Sequence, residues 1–305
     1  MTNSSPGPSS TLSATDLEHF LAYGFVHLTN CFDTSPGSVA HRWVRESWSR
    51  VGLSPDDPST WPNDKIALPE LETIPVRDFS PRAFAAICEL SGGEDRAVTD
   101  IAWGNRFIVN YGLGRDKDWI PPGPSTPGWH LDGDFFLHFL DSPEQALLVV
   151  VLFSDIHPQG GGTFIACDSI PVAARYLAVH PEGVDVHAFP CKEFVRGCRD
   201  FRETTGKAGD VFLLHPFTLH ASSYNHRPEA RFMINPVAHF REPMCFDRRS
   251  DGSAYSPVEQ AVLNALGVDH YDFQPTCARQ KVAAERVARE REFLARERER
   301  LAKLG

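Results

Sequence analysis

The chain contains no Cys-x-x-Cys pair; its seven cysteines, at 31, 88, 167, 191, 198, 245 and 277, are scattered over 305 residues. An odd, dispersed set indicates neither a zinc knuckle nor a disulfide framework, and free thiols in a reducing compartment are the expectation. No apolar run is long enough to span a bilayer, and the stretch at 146–153 has the length of a buried strand. The first ten residues are rich in Ser, Pro and Gly, with no apolar core and no arginine, unlike a secretory signal or a mitochondrial presequence. Basic residues are in deficit, 30 against 40 acidic, giving a net charge of −10, which argues against nucleic acid or an anionic membrane as partner. Gly160, Gly161 and Gly162 lack the lysine of a phosphate-binding loop, and no nucleophile elbow is present. A soluble cytoplasmic protein acting on a small molecule is the expectation that remains.

The apolar share, 42%, is ordinary, and the length allows one large domain or one core with helical additions. Residues 1–12 read as a disordered leader. Helices are expected from Ser13 or Thr15 to just before Gly24, over 38–51 and over 81–90, with an irregular Pro- and Asp-rich segment at 53–82 between the last two. After Phe25-Val26-His27-Leu28, short β-type runs dominate from 99 to 240: 106–111, 146–153, 163–166, 184–189, 211–214 and 231–238. Gly, Pro and Asp separate them, which predicts a mainly β antiparallel sandwich or barrel with flanking helices. From about Thr276 to Leu304 the chain reads as a charged helix. Val287, Leu294 and Leu301 form a thin apolar stripe on it, a solvated helix or a homodimer contact.

The chemistry concentrates in His130-Leu131-Asp132. With 13 histidines and 22 aspartates, roughly one His-x-Asp triplet is expected by chance. A second, His270-Tyr271-Asp272, lies outside the β-rich region and reads as surface. On a strand, His130 and Asp132 would share a face. A third ligand comes from His215 or His220. His220 is favoured because Arg231 follows it at hairpin distance, across the turn Asn225-His226-Arg227-Pro228. Two imidazoles and one carboxylate suit ferrous iron with open positions, and a guanidinium on the same wall suits a dicarboxylate. The same triad also suits zinc.

The segments Thr15-Asp16-Leu17…Tyr23-Gly24-Phe25-Val26, Trp129-His130-Leu131-Asp132 and Gly209-Asp210…His215-Pro216…Leu219-His220-Ala221-Ser222…Asn225…Arg231 resemble the phytanoyl-CoA dioxygenase-like family of Fe(II)- and 2-oxoglutarate-dependent oxygenases. The resemblance spans about residues 13–240. It implies a double-stranded β-helix, or jelly-roll, with His130, Asp132 and His220 on the metal and Ser222 and Arg231 on 2-oxoglutarate. Molecular oxygen would be the second co-substrate, and succinate and carbon dioxide the co-products. Related halogenases lack the carboxylate ligand, so Asp132 implies hydroxylation, desaturation or ring rearrangement of a small organic molecule. Where the family has Pro-Gly-Ser-His after its glycine-rich turn, this chain has Ala166-Cys167-Asp168-Ser169.

The expected organisation is thus a leader to residue 12, one oxygenase domain over 13–255 and a helical extension over 256–305. Thr163 is a candidate for positioning 2-oxoglutarate. Asn110, Tyr111, Trp129, Asp134 and Phe136 are candidates for lining the substrate space, with core packing as the alternative at each. Phe135 and His138 are further candidates for bordering it, with plain core as the alternative. A catalytically silent jelly-roll binding protein and a zinc hydrolase are the competing functions.

Overall fold

The structure, a computed structural model, describes residues 10–248 and 252–282, together with 291, 292, 294–296 and 299. Its strands are β1 (Phe25–Leu28), β2 (Lys65–Ala67), β3 (Thr73–Pro75), β4 (Ala102–Gly104), β5 (Ile108–Asn110), β6 (Leu147–Leu152), β7 (Thr163–Ala166), β8 (Phe201–Glu203), β9 (Val211–Leu214), β10 (His220–Ser222), β11 (Arg231–Ile234) and β12 (Val237–Ala238). The helices are α1 (Ala14–Tyr23), α2 (Val39–Val51), α3 (Val76–Phe79), α4 (Pro81–Leu90), α5 (Ile170–Ala178), α6 (Cys191–Gly197) and α7 (Pro257–Leu266).

The large sheet runs β1-β9-β6-β11-β5-β2, with β12 also on β6, and a small sheet runs β10-β7-β8. Every pairing is antiparallel. The alternation of side chains along each strand explains how they stack. Leu148, Val150 and Leu152 of β6, Phe212 and Leu214 of β9 and Met233 of β11 pack against Ile165 of β7. Their neighbours Val149, Val151, Leu213, Phe232 and Ile234 belong instead to the core that includes Trp43 of α2, Val76 of α3 and Phe84 of α4. The small sheet thus covers one face of the large sheet and helices cover the other. By the same parity, Thr163, His220, Ser222 and Arg231 project between the two sheets.

Local signals set the helix ends. Ser13 and Asp16 form a capping box on α1, and Ser256 and Glu259 form another on α7. Gly24 ends α1 in the left-handed region, φ 74°, where a Cβ would also lie 2.8 Å from Thr218 Oγ1. Leu12 is buried, and the Thr11 and Leu12 amides donate to Glu89, so the chain is tied down before the expected end of its leader.

Several expectations are corrected. The run 184–189 is not a strand: Val184 makes one bridge to His138, and Val186–Ala188 is a 3-10 turn capped by Asp185, whose side chain accepts from the His187 amide. The run 231–238 is broken at Asn235 and Pro236, where proline has no N–H for a ladder. The irregular stretch 53–82 holds β2, β3 and α3. The charged helix does not begin at Thr276. Residues 277–282 are non-helical, with Lys281 bridged to Phe136, and the residues described from 291 onward are helical. Val287 and Leu301 of its stripe lie outside the described residues.

Helix α7, unmarked in the sequence reading, packs against α1, α4 and α5. Glu259 on it is fully buried and receives hydrogen bonds from Arg96 at 2.8 and 2.7 Å, Arg248 at 3.0 Å and the Cys245 amide at 2.7 Å. Removing one partner of a buried ion pair leaves the other charge uncompensated. Glu259→Ala should therefore cost about 3–5 kcal/mol, read as a lowered urea midpoint.

Candidate metal centre

His130, Asp132 and His220 converge. Their ligand atoms lie within 4.8 Å of one another, and both histidine Nε2 atoms stand 3.5 Å from the same oxygen, Asp132 Oδ1. The expected strand carrying His130 and Asp132 is absent; a single antiparallel bridge joins His130 to His220. The His130 amide donates to the His220 carbonyl at 3.0 Å and the reverse bond is 3.1 Å. Gly133, at φ 113°, then turns the chain away, and a Cβ there would lie 2.5 Å from Phe136 and 2.7 Å from His138.

The imidazoles are oriented from behind. His130 Nδ1–H donates to the Gly128 carbonyl at 2.7 Å, and His220 Nδ1–H donates to the Thr218 carbonyl at 3.1 Å. Each bond places the proton on Nδ1 and leaves an Nε2 lone pair facing the other two ligands, as metal-binding histidines require. His220 Nε2 is buried with no hydrogen-bond partner. Burial raises the Asp132 carboxyl, but the imidazoles of His220 and His130, each 3.5 Å away, outweigh it and hold the group far below the usual carboxylate range. Burial likewise lowers His130, and Asp132 with the Gly128 carbonyl reverses that to a net rise. All three groups favour positive charge at their centre, and two nitrogens with one oxygen fit a divalent transition metal.

Two cavities meet at this triad. One, of about 110 Å³, is lined by His130 and His220 together with Lys65, Thr163, Ser222 and Arg231. Arg231 is 4% exposed, its Nε has no partner, Nη1 meets the Met233 sulfur, and among the described residues no carboxylate pairs with it. Burial lowers its pKa to about 10, still charged at neutral pH. A lone buried guanidinium costs roughly several kcal/mol unless an anion meets it. Lys65 Nζ donates to Ser222 Oγ at 2.8 Å, and its pKa is lowered by burial and then by Arg231, against Asp64 and Asp132. Thr163 Oγ1 faces Met233. The sequence reading missed Lys65. It sits on a three-residue edge strand paired with β5, itself next to β11, so only sheet pairing brings it to Arg231.

The second cavity, of about 860 Å³, is lined by His130 and Asp132, by Asp134 and Phe135, and by residues of β4 and β5. The other substrate candidates are placed elsewhere. Asn110 is buried and uses its side chain on the Gly112 and Leu113 amides. Tyr111 packs on Trp48 and Trp61. Trp129 donates to the Gly123 carbonyl and packs on Phe201. Phe136 stacks on His138, both buried in the core. His215, the rejected ligand candidate, is fully buried, its Nε2–H donating to the Val258 carbonyl and its Nδ1 accepting from the Phe217 amide.

No protein-family model matches the chain, and none of the curated proteins matches it. Solved structures that are similar include SnoK, a non-heme alpha-ketoglutarate-dependent carbocyclase from nogalamycin biosynthesis, at 13% identity and TM-score 0.46, covering 91% of this chain and 100% of that one. HygX from Streptomyces hygroscopicus, with nickel and 2-oxoglutarate bound, has 16% identity and TM-score 0.42 over 85% of this chain and 97% of its own. ThoJ, a non-heme monooxygenase, has 20% identity and TM-score 0.44 over 93% and 100%. Likenesses this low transfer neither fold nor function.

His220→Ala should lose high-affinity Fe(II) or Ni(II) binding in calorimetry, and His215→Ala should retain it while losing stability. Burial lowers His215 to about 3 and His138 to about 4. Between those values and the unfolded value near 6.5, the unfolded chain binds protons that the folded chain refuses. Stability contributed by keeping these rings neutral is therefore complete above about pH 6.5. It should fall as pH drops, by roughly 1.4 kcal/mol per unit per group, read from urea midpoints at pH 7 and pH 5.

Proposed function

We propose that the chain is an Fe(II)- and 2-oxoglutarate-dependent oxygenase of the phytanoyl-CoA dioxygenase-like kind, oxidising a C–H bond of a small organic molecule. The observation that carries this reading is the unpaired, buried Arg231 in a small chamber adjoining a His-Asp-His triad. A cation held alone at structural cost requires an anionic ligand. A chamber bounded by the metal ligands at one end and a guanidinium at the other suits a short dicarboxylate that also reaches the metal. Lys65, Ser222 and Thr163 supply further polar contacts within the same space.

His130, Asp132 and His220 would hold iron, leaving positions for co-substrate and oxygen. The bound metal and 2-oxoglutarate supply oxygen activation coupled to decarboxylation, with succinate and carbon dioxide released. Arg231 would orient the far carboxylate in a bidentate grip, with Lys65 and Ser222 beside it. Asp132 would supply a carboxylate to the metal where related halogenases have none, which favours hydroxylation, desaturation or ring rearrangement. The sheets facing each other across the site support a double-stranded β-helix over about residues 13–255. A zinc hydrolase built on the same triad would leave the Arg231–Lys65 chamber with no anion to bind.

Among the described residues no helix is long and apolar enough to cross a membrane. The acidic charge and the cavity favour a small molecule over nucleic acid as substrate.

Uncoupled 2-oxoglutarate decay with Fe(II) and ascorbate should exceed background in the native protein and require oxygen. Arg231→Ala should raise the 2-oxoglutarate requirement steeply while Fe(II) stays bound; an unchanged requirement would refute its role. Binding is readable without turnover. With Ni(II) present, 2-oxoglutarate at about a hundred times its Kd should stabilise the native protein by about 2.7 kcal/mol. Arg231→Ala should abolish that stabilisation at the same concentration, and Lys65→Ala should reduce it.

A further inference from the structure

Strand β11 brings more than Arg231 to the site. It pairs with β6 in one register, Met233 opposite Leu152 and Ile234 opposite Val151, and β12 resumes that register with Val237 opposite Leu148. Asn235 therefore stands opposite Val150, even though Pro236 interrupts the ladder. The Val149 amide, donating to the Pro236 carbonyl at 2.9 Å, holds the chain in place there. Side chains alternate along a strand, so Arg231, Met233 and Asn235 share the face on which Met233 and Val150 pack between the sheets. Four residues, about 13 Å of extended chain, separate Arg231 from Asn235. Arg231 lines the small chamber, whereas Asn235 lines both cavities, beside the triad.

The two oxygens of Asp132 have different surroundings. Oδ1 stands 3.5 Å from Nε2 of both His130 and His220. Oδ2 accepts a hydrogen bond from Asn235 Nδ2 at 3.4 Å. An ionised carboxylate only accepts, so the NH2 end of the Asn235 amide is the end that can face it. A carboxylate can hold a metal ion through one oxygen or through both. Here one oxygen is shared by the two imidazoles, and the other is met by a donor whose backbone is tied to β6 on both sides. That difference sets how many positions the metal keeps. On an octahedral ion, two imidazoles and one oxygen leave three positions, whereas two imidazoles and both oxygens leave two. A 2-oxo acid bound through two atoms would then leave one position in the first case and none in the second.

We propose that Asn235 is a positioning residue: its amide holds Asp132 Oδ2, so that the carboxylate meets the metal through Oδ1 alone and one position stays free once 2-oxoglutarate is in place. The proposal rests on the oxygenase reading and adds to it a residue that acts through Asp132.

The test counts exchangeable waters on Mn(II), an octahedral ion that keeps its water, and needs no turnover. Mn(II) bound to the full chain speeds the relaxation of water protons in proportion to the waters it holds. Asn235→Leu keeps most of the side-chain volume and removes the donor. At full Mn(II) occupancy its relaxation enhancement per bound ion should be about a third below that of the native protein, three waters having become two. Adding 2-oxoglutarate should leave a clear enhancement in the native protein and almost none in Asn235→Leu. Asn235→Gln, which keeps the amide, should restore the native values. A side chain that only stabilised the strand end would lower the urea midpoint and leave the enhancement per bound ion unchanged. Equal enhancement in the native protein and Asn235→Leu, or an equal loss in Asn235→Gln, would overturn the assignment. With Ni(II), 2-oxoglutarate should still stabilise Asn235→Leu, since two positions remain, and should fail to stabilise Arg231→Ala. A failure here is thus distinct from a failure of the oxygenase reading, which the native protein's own uptake of metal and 2-oxoglutarate decides.

Discussion

Two backbone hydrogen bonds exchanged between His130 and His220 hold the site together. They join residues ninety positions apart at a single bridge and bring both imidazoles to one carboxylate oxygen. Everything behind that bridge serves to aim it. The Gly128 and Thr218 carbonyls select the tautomers, Gly133 turns the chain away without a Cβ, and β10 is paired to β7, whose far side packs in the main core. A bridge of two bonds is weak alone. It is held here because each partner is anchored by separate packing.

Around this point two cavities of different size meet. Positive groups lie between the sheets on β2 and β11, where desolvation is severe and only an anion can relieve it. The larger cavity is lined by both signs, Glu70 and Asp134 with Arg106. The triad stands at the junction, with His130 lining both spaces. A metal there would face a small polar chamber on one side and a large apolar one on the other.

The sequence made the strands at 146–153, 163–166 and 211–214 legible, because β-branched and aromatic residues lie between clear Gly, Pro and Asp breaks. It was weaker where a short segment gains its structure from a partner. β2 and β3 are three-residue strands in a Pro- and Asp-rich stretch, and no local pattern marks them. The run 184–189 looked like a strand, but the Asp185 side chain competes for the backbone and turns it. The substrate candidates carry the same ambiguity. Asn110, Tyr111, Trp129 and Phe136 are polar or aromatic residues near the motif, and such residues serve cores as readily as cavities. Phe135 and Phe136 could not be told apart until the C-terminal segment fixed which of them faces the open space.

The sequence alone singled out His130, Asp132, His220 over His215, and Arg231 as candidates for one site, and the structure brings these four together. That choice follows from residue type and from the short separation of His220 and Arg231 across a turn, a short-range object whose geometry is nearly the same in any fold. Only the tertiary structure decided that Arg231 is buried with no carboxylate pairing it among the described residues, that Lys65 stands beside it, and that a second, larger cavity opens at the triad. Burial, desolvation and enclosed volume are properties of surfaces brought together from distant parts of the chain, and no local pattern of residues encodes them.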